Sequence, residues 1–459
     1  MTYYLFLHKN KSLFFTVLNL MIANEPKIKV ALLQKCGKAE IYLHGNYFLA
    51  GRGTVGGRVT AEISGGCICL KNQENTQIAR DREIVLTGAK KSNFTLPEVN
   101  IGIDFHWQQN QRQTFHGDIL LSATGYGSFH LINIILLEDY LVSVISSEMS
   151  AKAPLEFLKT QAIVARSWLM AMLEKKKTVK APQRAETENE IIVWQDVNNH
   201  EGFDVCADDH CQRYQGITKI ISDNVEKAIE STRGLFLLSG GKICDARYHK
   251  CCGGRTEIFS TAWEDISVPY LPSVTCDSIS RKPITTEEEA RDWLHGNPPA
   301  HCNTDDQEIL NRILPSFDRK TTDFYRWQMI CKCEEMEEIL REKSGIDFGR
   351  LQNIEPLARG FSGRIYKLKI EGSKRTIIAG KELEIRRWLS PTHLLSSAFV
   401  VSLEKNTDGT ISKIILDGGG WGHGVGLCQI GAAVMAEKGF SAEEILAHYF
   451  PGTTVRKLY

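Results

Sequence analysis

The stretch DGGGWGHGVGLCQIGA, residues 417–432, constrains this chain more than any other, because positions 418, 419, 420, 422, 424 and 426 are all glycine. A glycine inside a helix or strand costs about 0.5–1 kcal/mol relative to alanine, so a run this dense is neither. Something there needs bare backbone. The strand-like KIILD leads in and the helix-like CQIGAAVMAEKG leads out, a context that brings backbone toward a ligand at a helix N-terminus. Nucleotide loops fail on spacing. Starting G-x-G-x-x-G at Gly420, Gly422 or Gly424 puts Val425, Leu427 or Gln429 at the third glycine, and no Lys-Ser or Lys-Thr closes a phosphate loop. Two readings stand: a backbone wall that presents His423 to some other ligand, or a tight strand-to-helix crossing.

At 459 residues the chain has room for two or three domains. Its 42% hydrophobic and 24% charged residues describe an ordinary soluble globular protein. Lys plus Arg and Asp plus Glu both total 55, which removes the electrostatic case for nucleic acid as a partner. In residues 1–26, Lys9 and Lys11 precede an apolar run from Leu13 to Ala23. That run is short for a membrane span and resembles a signal peptide; the alternative is that translation starts at Met21. A signal would direct the chain to the cell envelope, periplasm or another extracytoplasmic place. Thirteen cysteines, odd in number and including the adjacent Cys251-Cys252, argue instead for the cytoplasm, or for thiols that hold a metal.

The pattern along the chain is α+β, with mixed β-sheets. Residues 27–117 form a β-rich N-terminal region in which IKVALL, AEIYLHG and EIVLTG are short strand-like runs broken by turn residues. LINIILLEDYLVSVISSEM then reads as a strand leading toward a helix. The helix, APLEFLKTQAIVARSWLMAMLEKKK, carries Leu155, Leu158, Ala162, Ala165, Leu169 and Met172 on one face. Residues 283–345, with TTEEEARDWL and MICKCEEMEEILREKSG, read as an inserted helical subdomain. Strands return in RIYKLKIEG, RTIIAG, AFVVSLEK and ISKIILDGGG. SAEEILAHYF ends the chain as a helix, Ser441 and Glu444 forming a capping box.

Three segments in order resemble the stage II sporulation protein D/LytB family. They are EDYLVSVISSEMSAKAPLEFLKTQAIVARSWLM, ARYHKCCGGRTE, and GGGWGHGVGLCQIGAAVMAEKGFSAEEILAHYFPGTTV, with FSGRIYKLKIEG as a weaker fourth. The resemblance implies that residues 118–459 are the family's catalytic domain, interrupted by the insertion. It further implies action on peptidoglycan, as a lytic transglycosylase of glycan strands or, in the LytB branch, as an amidase enhancer with an amidase as partner.

Under that resemblance Glu148 is the acid. At the expected strand-to-helix junction, beside Val144, Ile145 and Met149, it sits where desolvation favours a protonated carboxyl. Ordinary glycosidases need two carboxylates. A lytic transglycosylase manages with one, which protonates the glycosidic oxygen and then takes the proton of the sugar's own C6 hydroxyl. Arg166 matches the family's Ala-Arg and either orients Glu148, binds a sugar carboxylate, or forms a structural ion pair. His249 and His423 are candidates for stabilising developing charge, and Gln429, Gly422 and Gly424 for contacting the sugar. In HEGFDVCADDHCQRY, His200, Cys206 and Cys211 have spacing suited to zinc with a fourth position open, His210 being a spare. A Cys206–Cys211 disulfide or unbridged thiols are the alternatives, and a zinc-dependent hydrolase is the corresponding alternative function. Cys251 and Cys252 read as buried, inert thiols.

Overall fold

The computed structural model describes residues 22–103, 108–125, 127–176, 183–194, 200–315, 318–320 and 323–459. The signal-like segment lies almost wholly outside the described residues. Among them, no helix is long and apolar enough to cross a membrane.

An eleven-stranded sheet dominates the N-terminal half. Its edge is the two-residue strand Val205–Cys206, which runs parallel to Lys27–Cys36, followed by Phe129–Leu136, Asp118–Ala123, Glu83–Gly88 and Lys38–Leu49. Strands from both sides of residue 117 therefore share one sheet. Alternation explains the packing: Ile28 and Val30 are buried while Lys27 and Lys29 face solvent. One large core runs from this sheet through the helices to the C-terminus; a second, from Ile191 to Leu416, fills the space around two smaller sheets.

Helix α1, Leu137–Glu148, leaves directly from the strand Phe129–Leu136. Sequence reading runs the strand through this segment because Val142, Val144 and Ile145 are β-branched. Burial decides otherwise: Leu137, Leu141 and Val144 make a helical stripe that packs into the main core. Helix α2, Leu155–Lys176, follows as expected, with Leu158, Ala162, Ala165, Leu169 and Met172 buried. Helix α3, Asp223–Ser231, is capped by Ser222.

The insertion is not wholly helical. Helices Glu287–His295, Gln307–Ile313 and Cys333–Ser344 are present, but Arg326–Lys332 is a strand. It pairs antiparallel with Ile411–Gly419, so MICK joins a sheet whose partner lies far away in sequence. The final helix, Ala442–Tyr449, has the expected capping box between Ser441 and Glu444.

Candidate functional site

Glu148 ends a helix rather than beginning one, which corrects the strand-to-helix junction expected from sequence. It lies eleven residues after Leu137 and four after Val144, on the same inward-facing stripe. The helix itself thus aims the carboxylate into the protein, where it is only 8% exposed. Its Oε1 accepts the backbone N–H of Arg213 at 3.0 Å and the Tyr248 hydroxyl at 3.1 Å. Its main-chain carbonyl accepts the Lys250 ammonium at 3.0 Å.

A buried ion cluster surrounds this carboxylate. Arg213 pairs with Asp209 and lies 3.7 Å from Asp318, which Lys250 meets at 2.8 Å. Burial pushes the Asp209 carboxyl up to about 7 despite the pull of Arg213, with Glu148 and Asp208 adding to the rise. The ammonium of Lys250 also stands 6.0 Å from the ring of Trp421, which stacks on Phe324 with centroids 5.2 Å apart. The glycine-rich run reaches the surroundings of Glu148 in this way, through Trp421.

His249 and His423 form a separate group. Side chains alternate along 248–250: Tyr248 and Lys250 turn toward Glu148, while His249 Nδ1 lies 3.1 Å from the Val425 carbonyl. His249 and His423 meet at 5.6 Å between ring centroids, and Trp263 closes on His423 at 4.7 Å. The Arg247 guanidinium caps Trp263 at 4.1 Å. Burial, then the charges of His249, Arg247 and other arginines, hold His423 well below the usual histidine range, so it is a neutral ring. Its Nδ1 accepts the Val425 N–H at 3.1 Å. Among the described residues, His249 Nε2 and Gln429 Nε2 are buried without a hydrogen-bond partner. Gln429 opens the helix Gln429–Glu437, as expected.

The bare backbone of the run meets the protein's own side chains. At Gly424 (φ +82°) a β-carbon would stand 2.5 Å from Cζ of Arg364, and at Gly422 (φ +97°) it would stand 3.0 Å from Cβ of His249. Arg364 is fully buried and donates to the Gly422 carbonyl at 3.1 Å and the Cys252 carbonyl at 3.3 Å. The glycines thus make room for an internal arginine and histidine, which is a different office from the sugar-facing wall expected for Gly422 and Gly424.

Arg166 takes the structural one of its readings. Its fully buried guanidinium grips Glu138 through Nε (3.1 Å) and Nη2 (2.6 Å), and donates to the Leu235 carbonyl at 3.1 Å. Glu138 is further bonded by the Gly234 N–H at 3.1 Å and the Tyr459 hydroxyl.

The His/Cys segment converges. The ligand atoms of His200, Cys206, His210 and Cys211 all lie within 4.8 Å of one another, so this group can hold a metal ion. His200 Nε2 is 3.0 Å from Cys211 Sγ, and His210 Nδ1 is 3.6 Å from the same sulfur. His210 is therefore no spare: it completes a set of four, where three donors and an open position were expected. Cys206 and Cys211 are both free thiols. The strand pairing Ala31–Cys206 fixes one side of the group, and Arg213, two residues past Cys211, bonds Glu148 on the other. An open groove of about 650 Å³ lies beside His200, lined by Lys27, Lys29, Lys176 and Asp204, away from Glu148.

Sequence reasoning missed Asp209, Arg213, Tyr248, Lys250 and Asp318. Asp209 and Arg213 stood in a segment read only for metal ligands, and Tyr248 and Lys250 flank His249 in a motif read only for its histidine. Asp318 had no local signal at all.

Residues 125–238, holding α1, α2 and the His/Cys group, match the family described as Stage II sporulation protein, and residues 257–426 match a domain of unknown function (DUF8618). An uncharacterized protein of Brachyspira hyodysenteriae is 26% identical over 325 residues, 71% of this chain and 68% of that protein. The amidase enhancer of Bacillus subtilis is 28% identical over 332 residues, 69% of this chain but only 40% of the enhancer. Stage II sporulation protein D of Bacillus amyloliquefaciens is 23% identical over 331 residues, covering 72% of this chain and 76% of that protein. With the family's domain lying over α1 and α2 and its named members aligned along most of the chain, this protein belongs to the stage II sporulation protein D/LytB family.

Proposed function

We propose that this protein cleaves peptidoglycan glycan strands by lytic transglycosylation, with Glu148 as general acid and then base. The observation that carries the reading is the setting of Glu148: a buried carboxylate aimed inward by α1 and gripped through Oε1 by Arg213 and Tyr248. Protonated Glu148 gives its proton to the glycosidic oxygen as the bond from C1 breaks. The resulting carboxylate removes the proton of the C6 hydroxyl on the same sugar, and O6 closes on C1 as an anhydro ring. No water is consumed and Glu148 ends protonated. Tyr248 and the Arg213 N–H hold the carboxyl group in place, since both bond to its Oε1. Relatives named for sporulation and for enhancing an amidase support a cell-wall role, and on this reading the protein works outside the cytoplasm.

The donor set of two thiols and two imidazoles suits zinc, which His200, Cys206, His210 and Cys211 would hold in a structural part. Four protein donors would leave such an ion no open position for a substrate water. That removes the support for a zinc hydrolase and makes the site a clamp on the loop that carries Asp209 and Arg213.

A second reading has its own observation. Glu148 is enclosed, and the amidase enhancer aligns over 332 residues. On that reading the protein binds glycan strands and stimulates an amidase without cutting them. Incubation of purified protein with intact and peptide-stripped peptidoglycan, followed by mass spectrometry, separates the two. Anhydro-ended sugars that disappear in Glu148→Gln are expected. Water-added products would point to hydrolysis, and no product from either substrate, with amidase stimulation intact in Glu148→Gln, would establish the second reading instead.

A further inference from the structure

Four cysteines from four separate segments meet inside the molecule. Cys252 follows the strand Tyr248–His249, Cys276 and Cys302 lie in the loops before and after the helix Glu287–His295, and Cys428 caps the helix Gln429–Glu437. Each is at most 3% exposed, and their four Sγ atoms all lie within 4.8 Å of one another. The sulfurs of Cys252 and Cys302 stand 3.4 Å apart, and all four are free thiols. We propose that Cys252, Cys276, Cys302 and Cys428 bind a single zinc ion, a tetrathiolate site distinct from the His/Cys group.

Geometry selects the occupant. Zinc–sulfur bonds of about 2.3 Å in a tetrahedron set sulfurs roughly 3.8 Å apart, which matches the spread of these four. An iron–sulfur cube would need wider spacing, because iron and sulfide must sit between the cysteines. The surroundings suit thiolates. Cys428 Sγ accepts the backbone N–H groups of Cys252 (3.2 Å) and Gly431 (3.4 Å), and Cys252 Sγ accepts that of Gly254 (3.3 Å). Tyr449 places its hydroxyl 3.1 Å from Cys276 Sγ. Donors of this kind, aimed at ligating sulfur, are the outer shell that a metal–thiolate site requires. A fifth thiol, Cys251, adjoins Cys302 and Cys428 but lies outside the mutual set of four.

The placement gives the site a task. Residues 257–426 match the domain of unknown function; Cys276 and Cys302 lie inside that stretch, while Cys252 and Cys428 flank its two ends. One ion would therefore tie both ends of the module to its interior. It would also fix the parallel pair Tyr248–Leu427 and His249–Cys428, from which Tyr248 reaches Glu148. The reading of Cys252 as an inert core thiol is replaced by that of a ligand.

Elemental analysis of the purified full chain, expressed with zinc and kept reduced, tests this. Two zinc per chain are expected. Cys276→Ser/Cys302→Ser should lose one, Cys206→Ser/Cys211→Ser the other, and Cys251→Ser neither. X-ray absorption at the zinc edge of the unmutated protein needs no variant to fold: two filled sites average three sulfurs and one nitrogen per zinc. If only the His/Cys group binds, the shell averages two and two and the tetrathiolate proposal falls. If only the tetrathiolate binds, the shell is all sulfur and the His/Cys reading falls instead. A Cys252–Cys302 disulfide as the main species in peptide mass spectra, or iron in place of zinc, would also overturn the proposal.

Discussion

Replacing Arg166 by alanine separates a structural arginine from a catalytic one. The guanidinium is fully buried and Glu138, its partner, is 3% exposed, so no water replaces the two bonds at 3.1 and 2.6 Å. Removing one member of a buried pair leaves an uncompensated charge and costs about 3–5 kcal/mol. Losing the donor to the Leu235 carbonyl adds about 1 kcal/mol. The Gly234 N–H and Tyr459 hydroxyl still serve Glu138 and offset a similar amount, so we expect a net loss of about 3–5 kcal/mol. Arg166→Met combined with Glu138→Gln carries no stranded charge and should recover at least half of that loss. Urea titration followed by circular dichroism measures both, with glycan cleavage assayed on the folded protein. Stability of Arg166→Ala within about 0.5 kcal/mol of wild type, with cleavage abolished, would refute the structural assignment.

Three further outcomes are expected. Gly424→Ala puts a β-carbon 2.5 Å from Arg364 Cζ at φ +82°, and should cost about 2–4 kcal/mol from backbone strain and overpacking together; an unchanged urea midpoint would contradict this. His423 stays neutral in the folded protein below its ordinary value of 6.5, whereas the unfolded chain takes up a proton there. Its contribution to stability is therefore complete above that pH and lost progressively below it, and His423→Asn should flatten the acid limb of a stability–pH curve; an unaltered slope would sink the assignment. His210→Ala should speed zinc loss to a chelator as much as His200→Ala does, and a rate equal to wild type would return His210 to a bystander.

How far the sequence could be read varies with the range of the interaction concerned. The stripe of α2, the capping box at Ser441 and most strands were legible because helix and strand periods are written in neighbouring residues. The segment from Val142 to Ile145 and the run MICK failed for the opposite reason, since local β preference or helix preference lost to burial and to strand pairing. The His/Cys group was largely legible, its four residues falling between positions 200 and 211. The ion cluster at Glu148 was not, because Tyr248 and Lys250 stand 100 and 102 residues from it.

What the sequence by itself determined, then, was the α+β class, the main helix, the family resemblance, and the closely spaced His/Cys group. Only the tertiary structure decided that Glu148 ends a helix, that Arg166 serves Glu138, and that the histidines and Glu148 occupy opposite sides of one short strand. It also decided what DGGGWGHGVGLCQIGA is for: its glycines admit Arg364 and His249, and Cys428 at its end joins a cysteine 176 residues away. Local patterns record the period of a backbone, whereas contacts across a hundred residues depend on which faces the whole chain can bury together. That selection is made by the packed core and leaves no periodic trace in the sequence.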